Sequence, residues 1–502
     1  MKENASHMLS KKIFSTQKIN LIERSAIAEK KGNDLSLMKK AARFSWHEIR
    51  KKYPNTKKLL ILCGIGNNAG DGMALASIAL KNNFDVKIYY FFPDKTFTGC
   101  AAEIHTELES LATQNTLKII DQLNESILND SDLIIDAIFG IGINRPIDNS
   151  KIPKINLINN QDAAIVSLDI PSGVHPDSGL IMGAAIKASM TITFISHKLC
   201  FYFGEGKDLS GDIKFSHLDI SQRHFSKFTE DMRIINKSYT QKKLLRRKSD
   251  THKGDYGHVL IVGGGPGMHG AALLSGESSL RGGAGKVTIF MHESHRSLIN
   301  RARPELMFIF SNEGIKIQSI LNKVDVVAIG PGLGLDDWAR SVFKHVNKCN
   351  KPLVVDADAL NILSEKNLKR EDWVLTPHPG EAATLISKSS LEIQENRLLY
   401  LKKLKDSYGG TIVLKGKNTL IGSKDIVTNI CTQGNPGMAS AGMGDVLTGL
   451  IAAMISQGMD HFEAASVGVE VHARAGDLAA RGGERGLIAG DVINEIRGCV
   501  NL

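Results

Sequence analysis

The chain is poor in the features that mark most specialised protein classes. Its six cysteines, Cys63, Cys100, Cys200, Cys349, Cys431 and Cys499, are scattered, with no Cys-x-x-Cys pair. That spacing argues against a disulfide framework and a thiolate metal site, and it fits reduced thiols in a cytoplasmic protein. No apolar run approaches the roughly 18–20 residues that a membrane span needs. The first residues, Met1 to Lys12, are polar and lack the apolar core of a signal peptide. No Gly-x4-Gly-Lys-[Ser/Thr] loop occurs, which excludes a P-loop nucleotide site. Gly-x-Ser-x-Gly is missing, and with it the nucleophile elbow of a serine hydrolase. His-Glu-x-x-His is missing too, which removes the helical zinc site of a metalloprotease. Excess charge is small, 62 basic against 53 acidic residues for a net +9. Much of it sits in Lys237, Lys242, Lys243, Arg246, Arg247, Lys248 and Lys253, opposed by Asp250. That run follows a weakly patterned segment and precedes a glycine-rich one, so it reads as a solvated linker helix and not as a nucleic-acid surface.

What is present is an ordinary soluble composition, 42% hydrophobic and 23% charged, on 502 residues. That length predicts two to four domains, each large enough for its own core. Residues 13–53 read as two helices. The apolar run Lys58–Cys63 then reads as a buried strand, ending in Gly64-Ile65-Gly66-Asn67-Asn68-Ala69-Gly70-Asp71-Gly72, with a helix over Met73–Leu80. Strand, glycine loop and helix follow the dinucleotide-binding pattern in outline. Further strands are predicted at Val86–Phe91, Asp132–Phe139, Ala164–Asp169 and Thr191–Phe194, and a helix at about Thr98–Thr113. Polar residues collect behind the strand ends: Asn68, Asp71, Asp136, Asp169 and Ser172. In an open parallel sheet the ligand crevice lies there. The stretch 224–250 is polar and without strong period. After it the pattern restarts, with strands at Tyr256–Val262, Lys286–Phe290, Val324–Ile329, Leu353–Val355, Trp373–Leu375 and Thr411–Leu414. The expected fold is α/β, two doubly wound domains at 10–225 and 251–502, joined by a linker at 226–250.

The second half carries the more telling chemistry. Gly442-Met443-Gly444-Asp445 runs into an apolar helix, Val446–Ile455. Glycines before a helix N-terminus make a seat for negative charge. A carboxylate there repels an anion unless it has a task, and the natural task is to take a proton from a hydroxyl that is being phosphorylated. Helix capping is the competing use of Asp445. Lys415, at a strand end, would neutralise donor phosphates. Asp356, Asp358 and Glu381 would hold Mg²⁺, directly or through water, since hard cations prefer oxygen ligands. His378, flanked by prolines, is rigidly placed for a substrate contact.

The motifs together resemble a known family. Cys63-Gly-Ile-Gly-Asn-Asn-Ala-Gly-Asp71-Gly, Asp136-Ala-Ile-Phe-Gly-Ile-Gly142 and Asp169-Ile-Pro-Ser-Gly173 resemble the epimerase domain of the bifunctional NAD(P)H-hydrate repair enzymes. His252-Lys-Gly254, Gly330-Pro-Gly-Leu-Gly334, Asp356-Ala-Asp-Ala-Leu-Asn361, Thr376-Pro-His-Pro-Gly-Glu381 and Gly442-Met-Gly-Asp445 resemble their ribokinase-like dehydratase domain. The resemblance implies an N-terminal Rossmann-like domain that interconverts the R and S hydrates of NADH and NADPH. It implies a C-terminal domain that dehydrates the S hydrate with ADP, or ATP, as phosphoryl donor. It places the hydrate on Asn67, Asn68, Ala69, Gly70 and Asp71, its phosphates on Gly140, Ile141, Gly142, Ile143, Asn144, Arg145 and Pro146, and its ring near Asp169. Asn68, Asp136 and Ser172 match potassium ligands, and Asp169 and Lys198 are candidates for proton transfer. In the second domain Ala271, Gly332 and His378 match hydrate-binding positions. Lys415, Gly416, Lys417, Asn418, Thr419 and Gly444 match nucleotide-binding positions, and Asp445 the catalytic aspartate. The sequence departs from the family at Ala69, where Gly is usual, and at Lys40 and Ala42. A cytoplasmic homo-oligomer without nucleic-acid or membrane partners is expected. Two other readings stay open: a ribokinase-type small-molecule kinase with a non-catalytic N-terminal nucleotide-binding domain, and a nucleotide-binding regulatory or scaffold protein.

Overall fold

The computed structural model describes residues 9, 11–29, 35–94, 96–112, 117–297 and 303–501. Most of the polar N-terminal segment, residues 1–8 and 10, and the end of the predicted helix at Thr113 lie outside them. The chain divides into two compact units, Met1–Met232 and Arg233–Leu502. Among the described residues no helix is long and apolar enough to cross a membrane.

The first unit is built on a parallel sheet. Its strands are β1 (Lys58–Cys63), β2 (Asp85–Tyr90), β3 (Leu117–Ile120), β4 (Leu133–Ala137), β5 (Ala164–Leu168), β6 (Met190–Phe194) and β7 (Asp212–Ser216), in the order β3-β2-β1-β4-β5-β6-β7. Every pairing is parallel. Strand order reverses between β1 and β4, and such a switch point opens a crevice at the strands' carboxyl ends. β1, β4 and β6 are buried along nearly their whole length, and β1 accordingly reads as a continuous apolar run after Lys58. Helices α1 (Thr16–Glu29), α2 (Leu35–Lys52) and α3 (Asn67–Lys81) supply Ile19, Ile22, Met38, Ala42, Met73 and Leu80 to the core.

The glycine stretch after β1 departs from expectation. The loop expected over Gly64–Gly72 is cut short, because α3 begins at Asn67 and not at Met73, so Ala69, Gly70, Asp71 and Gly72 are helical. Two of these glycines serve packing. A Cβ at Gly70 would lie 2.5 Å from Met38 Cε, and one at Gly72 would lie 2.6 Å from Ala137 Cβ. The helix can therefore approach α2 and β4 closely. Ala69 is buried in right-handed helix, so its methyl carries no left-handed backbone penalty. Lys40 pairs with Asp219 at 2.8 Å, and Ala42 is fully buried.

The second unit opens within β8 (Met232–Ile235) and holds β9 (His258–Val262), β10 (Lys286–Met291), β11 (Met307–Phe310), β12 (Val326–Ile329), β13 (Leu353–Val355), β14 (Trp373–Leu375), β15 (Thr411–Leu414), β16 (Thr419–Ser423) and β17 (Thr428–Cys431). The order is β8-β17-β16-β15-β14-β13-β12-β9-β10-β11. Pairings from β11 through β15 are parallel; β15–β16 and β16–β17 are antiparallel. The polar stretch 226–250 contains β8 and a helix, Lys237–Lys243. Helices α4 (His269–Arg281), α7 (Met443–Ser456) and α8 (His461–Ala479) surround an apolar core with Val446, Leu450, Ile451 and Val467. Helices α5 (Pro379–Leu385) and α6 (Arg397–Tyr408) flank β14 and β15 along the chain.

Candidate active sites

A cleft of about 1010 Å³ opens at the β1–β4 switch point of the first unit. It is lined by Asn67, Asn68 and Asp71 from α3, by Gly140, Ile141, Gly142, Ile143, Asn144, Arg145 and Pro146 after β4, by Asp169 after β5, and by Lys198. The volume and the mixed polar and apolar lining suit a ligand of nucleotide size or larger. Ala69 and Gly70 are not in the lining; both are buried.

Lys198 is 1% exposed, yet it is fully paired. Its ammonium donates to the Asp169 carboxylate, to Thr193 Oγ1 at 2.8 Å and to the Phe194 carbonyl at 2.7 Å. Asp169 sits directly behind β5 with φ +67°, a left-handed conformation that an aspartate adopts at a modest cost. The bend turns its carboxylate into the cleft beside the lysine. Burial, then the neighbouring Asp169 and Glu23, push the Asp71 carboxyl well above the usual range, against the pull of Lys198. The cleft thus sets a carboxyl with a raised pKa next to an ion pair.

Asp136 and Ser172 stand behind this surface. Asp136 is fully buried. Its carboxylate accepts from Ser167 Oγ at 2.7 Å, from the Ser172 amide at 2.8 Å and from Ser172 Oγ at 2.5 Å. Burial raises its pKa, and these donors restrain the rise. Asn68 is different: both polar atoms of its carboxamide are buried with no partner among the described residues. Orphaned buried amides are rare and costly. A carbonyl oxygen in want of a partner, with a carboxylate near the end of β4 and a hydroxyl behind β5, is a donor set whose chemistry fits a large monovalent cation.

Sequence reasoning missed Asn20 and Glu23 on α1, both of which line the cleft. They follow and interrupt the apolar positions Ile19 and Ile22, where a polar residue usually means an exposed face.

In the second unit the polar strand ends converge as expected. Lys415, directly after β15, donates to Asp356 after β13 at 2.8 Å and lies 3.5 Å from Glu381. Thr448 Oγ1 on α7 donates to the other Asp356 oxygen at 2.6 Å. Burial opposes ionisation of Asp356, but Lys415 and Thr448 outweigh it and hold the carboxyl below its ordinary value. Glu381 is raised, chiefly by burial. Asp358 accepts from the Gly334 amide at 2.8 Å. The three carboxylates proposed for Mg²⁺ are therefore each engaged by protein groups, and among the described residues no group of three acidic, histidine or cysteine side chains is placed to hold a metal.

α7 begins at Met443, three residues earlier than its apolar run predicts, with Gly442 as cap in the left-handed region at φ +88°. Asp445 lies in its first turn. Burial, then the Asp356 charge, push its carboxyl up to about 7 despite Lys415. A Cβ on Gly444 would sit 3.3 Å from Lys415 Nζ, so the residue's smallness lets the ammonium lie against the turn. On the other side, Ser275 Oγ of α4 donates to the Asp445 carbonyl at 2.7 Å. Ala271, one turn earlier on α4, adjoins Gly332, whose added Cβ would lie 3.1 Å from the alanine methyl. His378 caps α5: its Nδ1 accepts from the amides of Gly380 at 3.0 Å and Glu381 at 3.3 Å. These bonds fix the ring's orientation and leave its exposed Nε2 edge to face a ligand. Gly416, Lys417 and Asn418 lie in the turn between β15 and β16, and Thr419 opens β16 with its Oγ1 donating to the Gly416 carbonyl at 2.9 Å.

Comparison with known proteins accounts for both halves. A family model described as YjeF-related protein N-terminus matches residues 34–200, and one described as NAD(P)H-hydrate dehydratase matches residues 259–497. The bifunctional NAD(P)H-hydrate repair enzyme of Coxiella burnetii is 36% identical over 97% of this chain and 99% of its own length. The enzyme of the same description from Escherichia coli is 37% identical over 93% of this chain and 89% of its own. Among solved structures, a ribokinase-like superfamily protein from Enterococcus faecalis is 29% identical with a TM-score of 0.51, covering 54% of this chain and 96% of that one. With relatives of that identity matched over nearly their whole length, the chain belongs to the bifunctional NAD(P)H-hydrate repair enzymes.

Proposed function

We propose that the chain repairs hydrated NADH and NADPH in two steps: its first unit interconverts the R and S hydrates, and its second dehydrates the S hydrate with ADP as phosphoryl donor. The observation that carries the second step is Asp445, a carboxyl poised near neutrality in the first turn of a helix and beside the Lys415 ammonium. A base of that strength can take the proton of the ring hydroxyl while lysine and helix N-terminus offset charge on the transferred phosphoryl group. The bond from phosphorus to the AMP oxygen breaks as the bond to the ring oxygen forms. The ring nitrogen lone pair then expels phosphate, and the iminium ring so formed loses a proton from the adjacent ring carbon, leaving NAD(P)H, AMP, phosphate and a proton. Ala271, Gly332 and His378 hold the hydrate, and the turn from Lys415 to Thr419 with Gly444 holds the nucleotide. Mg²⁺ enters with the nucleotide's own phosphates, as is usual for this ion.

In the first unit Asp169 and Lys198 are the groups for moving a proton at the epimerising carbon, with Asn67 and Asp71 against the hydrate and Gly140 to Pro146 around its phosphates. Asn68, Asp136 and Ser172 would hold K⁺, which when bound supplies positive charge near the phosphates. The test is direct. Purified protein is mixed with both hydrate epimers, Mg²⁺, K⁺ and either ADP or ATP, and NADH recovery is followed at its absorbance band. Full recovery of both epimers is expected with ADP. Recovery of neither, or accumulation of a phosphorylated product, would refute the reading in favour of a small-molecule kinase.

A further inference from the structure

Arg397 opens α6 and is 6% exposed. Among the described residues it pairs with no carboxylate, and its Nε has no partner. Burial lowers its pKa to about 10, so it still carries its charge at neutral pH. A buried cation without an anion is costly and persists only where the structure compensates it. Here the compensation comes from a single stretch of chain. The guanidinium donates to the carbonyls of Leu414 at 2.9 Å, Lys415 at 3.1 Å and Lys417. The turn wraps it closely: Gly416 has φ +128°, and a Cβ there would lie 3.4 Å from Nη1. Three carbonyls of the turn that ends β15 are thus drawn onto one planar fork.

We propose that Arg397 is the positioning residue of the donor-nucleotide turn, fixing the backbone of Leu414–Lys417 and through it the place of the Lys415 ammonium. The inference rests on the reading of Lys415–Thr419 as the nucleotide's turn. Turning the carbonyl oxygens onto the guanidinium keeps their negative ends from the donor phosphates, and the cation itself adds positive charge beneath the turn. Arginine suits this work because its donors are fixed in one plane; a lysine in its place keeps the charge but meets fewer carbonyls at once. Arg397 lies 18 residues before Lys415 and outside the motifs of the site.

The experiment uses the full chain, comparing wild type with Arg397→Lys and Arg397→Met. For Arg397→Lys the expected result is a KM for ADP raised about tenfold, with the KM for the S hydrate and the epimerisation rate within about twofold of wild type. Its melting temperature should stay within a few degrees. Amide exchange of the 414–419 peptide should be faster in the variant, and in wild type it should slow when ADP is added. An unchanged KM for ADP in Arg397→Lys overturns the inference. So does a parallel loss of every kinetic parameter together with the melting temperature, which would mark the arginine as structural only. If ADP leaves the 414–419 peptide of wild type unprotected, the reading of the turn fails first and the inference falls with it. Should Arg397→Met fail to fold, the lysine variant and the exchange measurement decide alone.

Discussion

The ammonium of Lys415 lies 2.8 Å from Asp356, a carboxylate that is 1% exposed and 59 residues earlier in the chain. This pair is the floor of the second site. Removing one member of a buried pair leaves the other charge unpaired, which costs about 3–5 kcal/mol. Lys415→Met should therefore both abolish dehydration and destabilise the second unit by that amount in denaturant unfolding. Lys415→Met combined with Asp356→Asn should regain part of the stability and none of the activity. If the single variant unfolds like wild type, the pair is solvated and the argument from burial is wrong.

Asp445 gives a prediction whose sign follows from its raised pKa. An unfolded aspartate loses its proton near 3.9. The folded one keeps it to about 7. The cost of ionising it in place grows between those values and is constant above the higher one, by linkage. Asp445→Asn should match wild type in stability near pH 4 and become more stable as pH rises toward 7, by at most about 4 kcal/mol for three pKa units. The same variant should bind ADP and fail to turn over. Melting curves from pH 4 to 8 check the first claim. A constant gap across that range would mean the carboxyl is not perturbed. Retained turnover would remove Asp445 as the base.

The first unit makes a separable prediction. Lys198 donates to Asp169, Thr193 and Phe194 from the wall of the first cleft. Lys198→Met should leave the R hydrate recovering only at its spontaneous epimerisation rate, while the S hydrate is dehydrated at the wild-type rate. Single-epimer assays distinguish the two. Loss of S-hydrate turnover as well would show that the two activities are not independent.

How much of this was legible depended on burial. β1, covered on both faces, reads as an unbroken apolar run after Lys58, and β4 reads as one broken only by Asp136; both lie close to their expected limits. β3, with Lys118 and Ile119 exposed, and β7, half-exposed along its length, gave no such run and were missed. The glycine stretch misled for another reason. Asn-Asn-Ala-Gly-Asp-Gly has poor helix propensity and reads as loop, but close packing of α3 against Met38 and Ala137 overrides that preference. Asp445, Lys415 and Asp169 were legible as polar residues at strand or helix ends. Glu23 and Arg397 were not, because each sits on a helix and reaches its site only through tertiary packing.

Asn68 leads to the last prediction. Its buried carboxamide has no partner for either polar atom among the described residues, and its Cβ lies against the Gly140 turn that follows β4 and Asp136. A cation that fills this want binds the folded state and not the unfolded one, so it must raise stability by RT ln(1 + [L]/Kd), about 2.7 kcal/mol at a hundredfold excess over Kd. Raising KCl at constant ionic strength, with choline chloride as the balance, should raise the melting temperature of the first unit and leave the second unchanged. NaCl should do less, because a smaller ion meets the same oxygens at longer relative reach. Asn68→Ala should remove most of the K⁺ response while melting near wild type in choline chloride, since it also deletes an unsatisfied buried group. If K⁺ and choline give the same melting curve for wild type, these three residues hold no potassium, and the Asn68 carboxamide must instead be waiting for the hydrate itself. In that case the hydrate, and not the salt, would restore the missing stability.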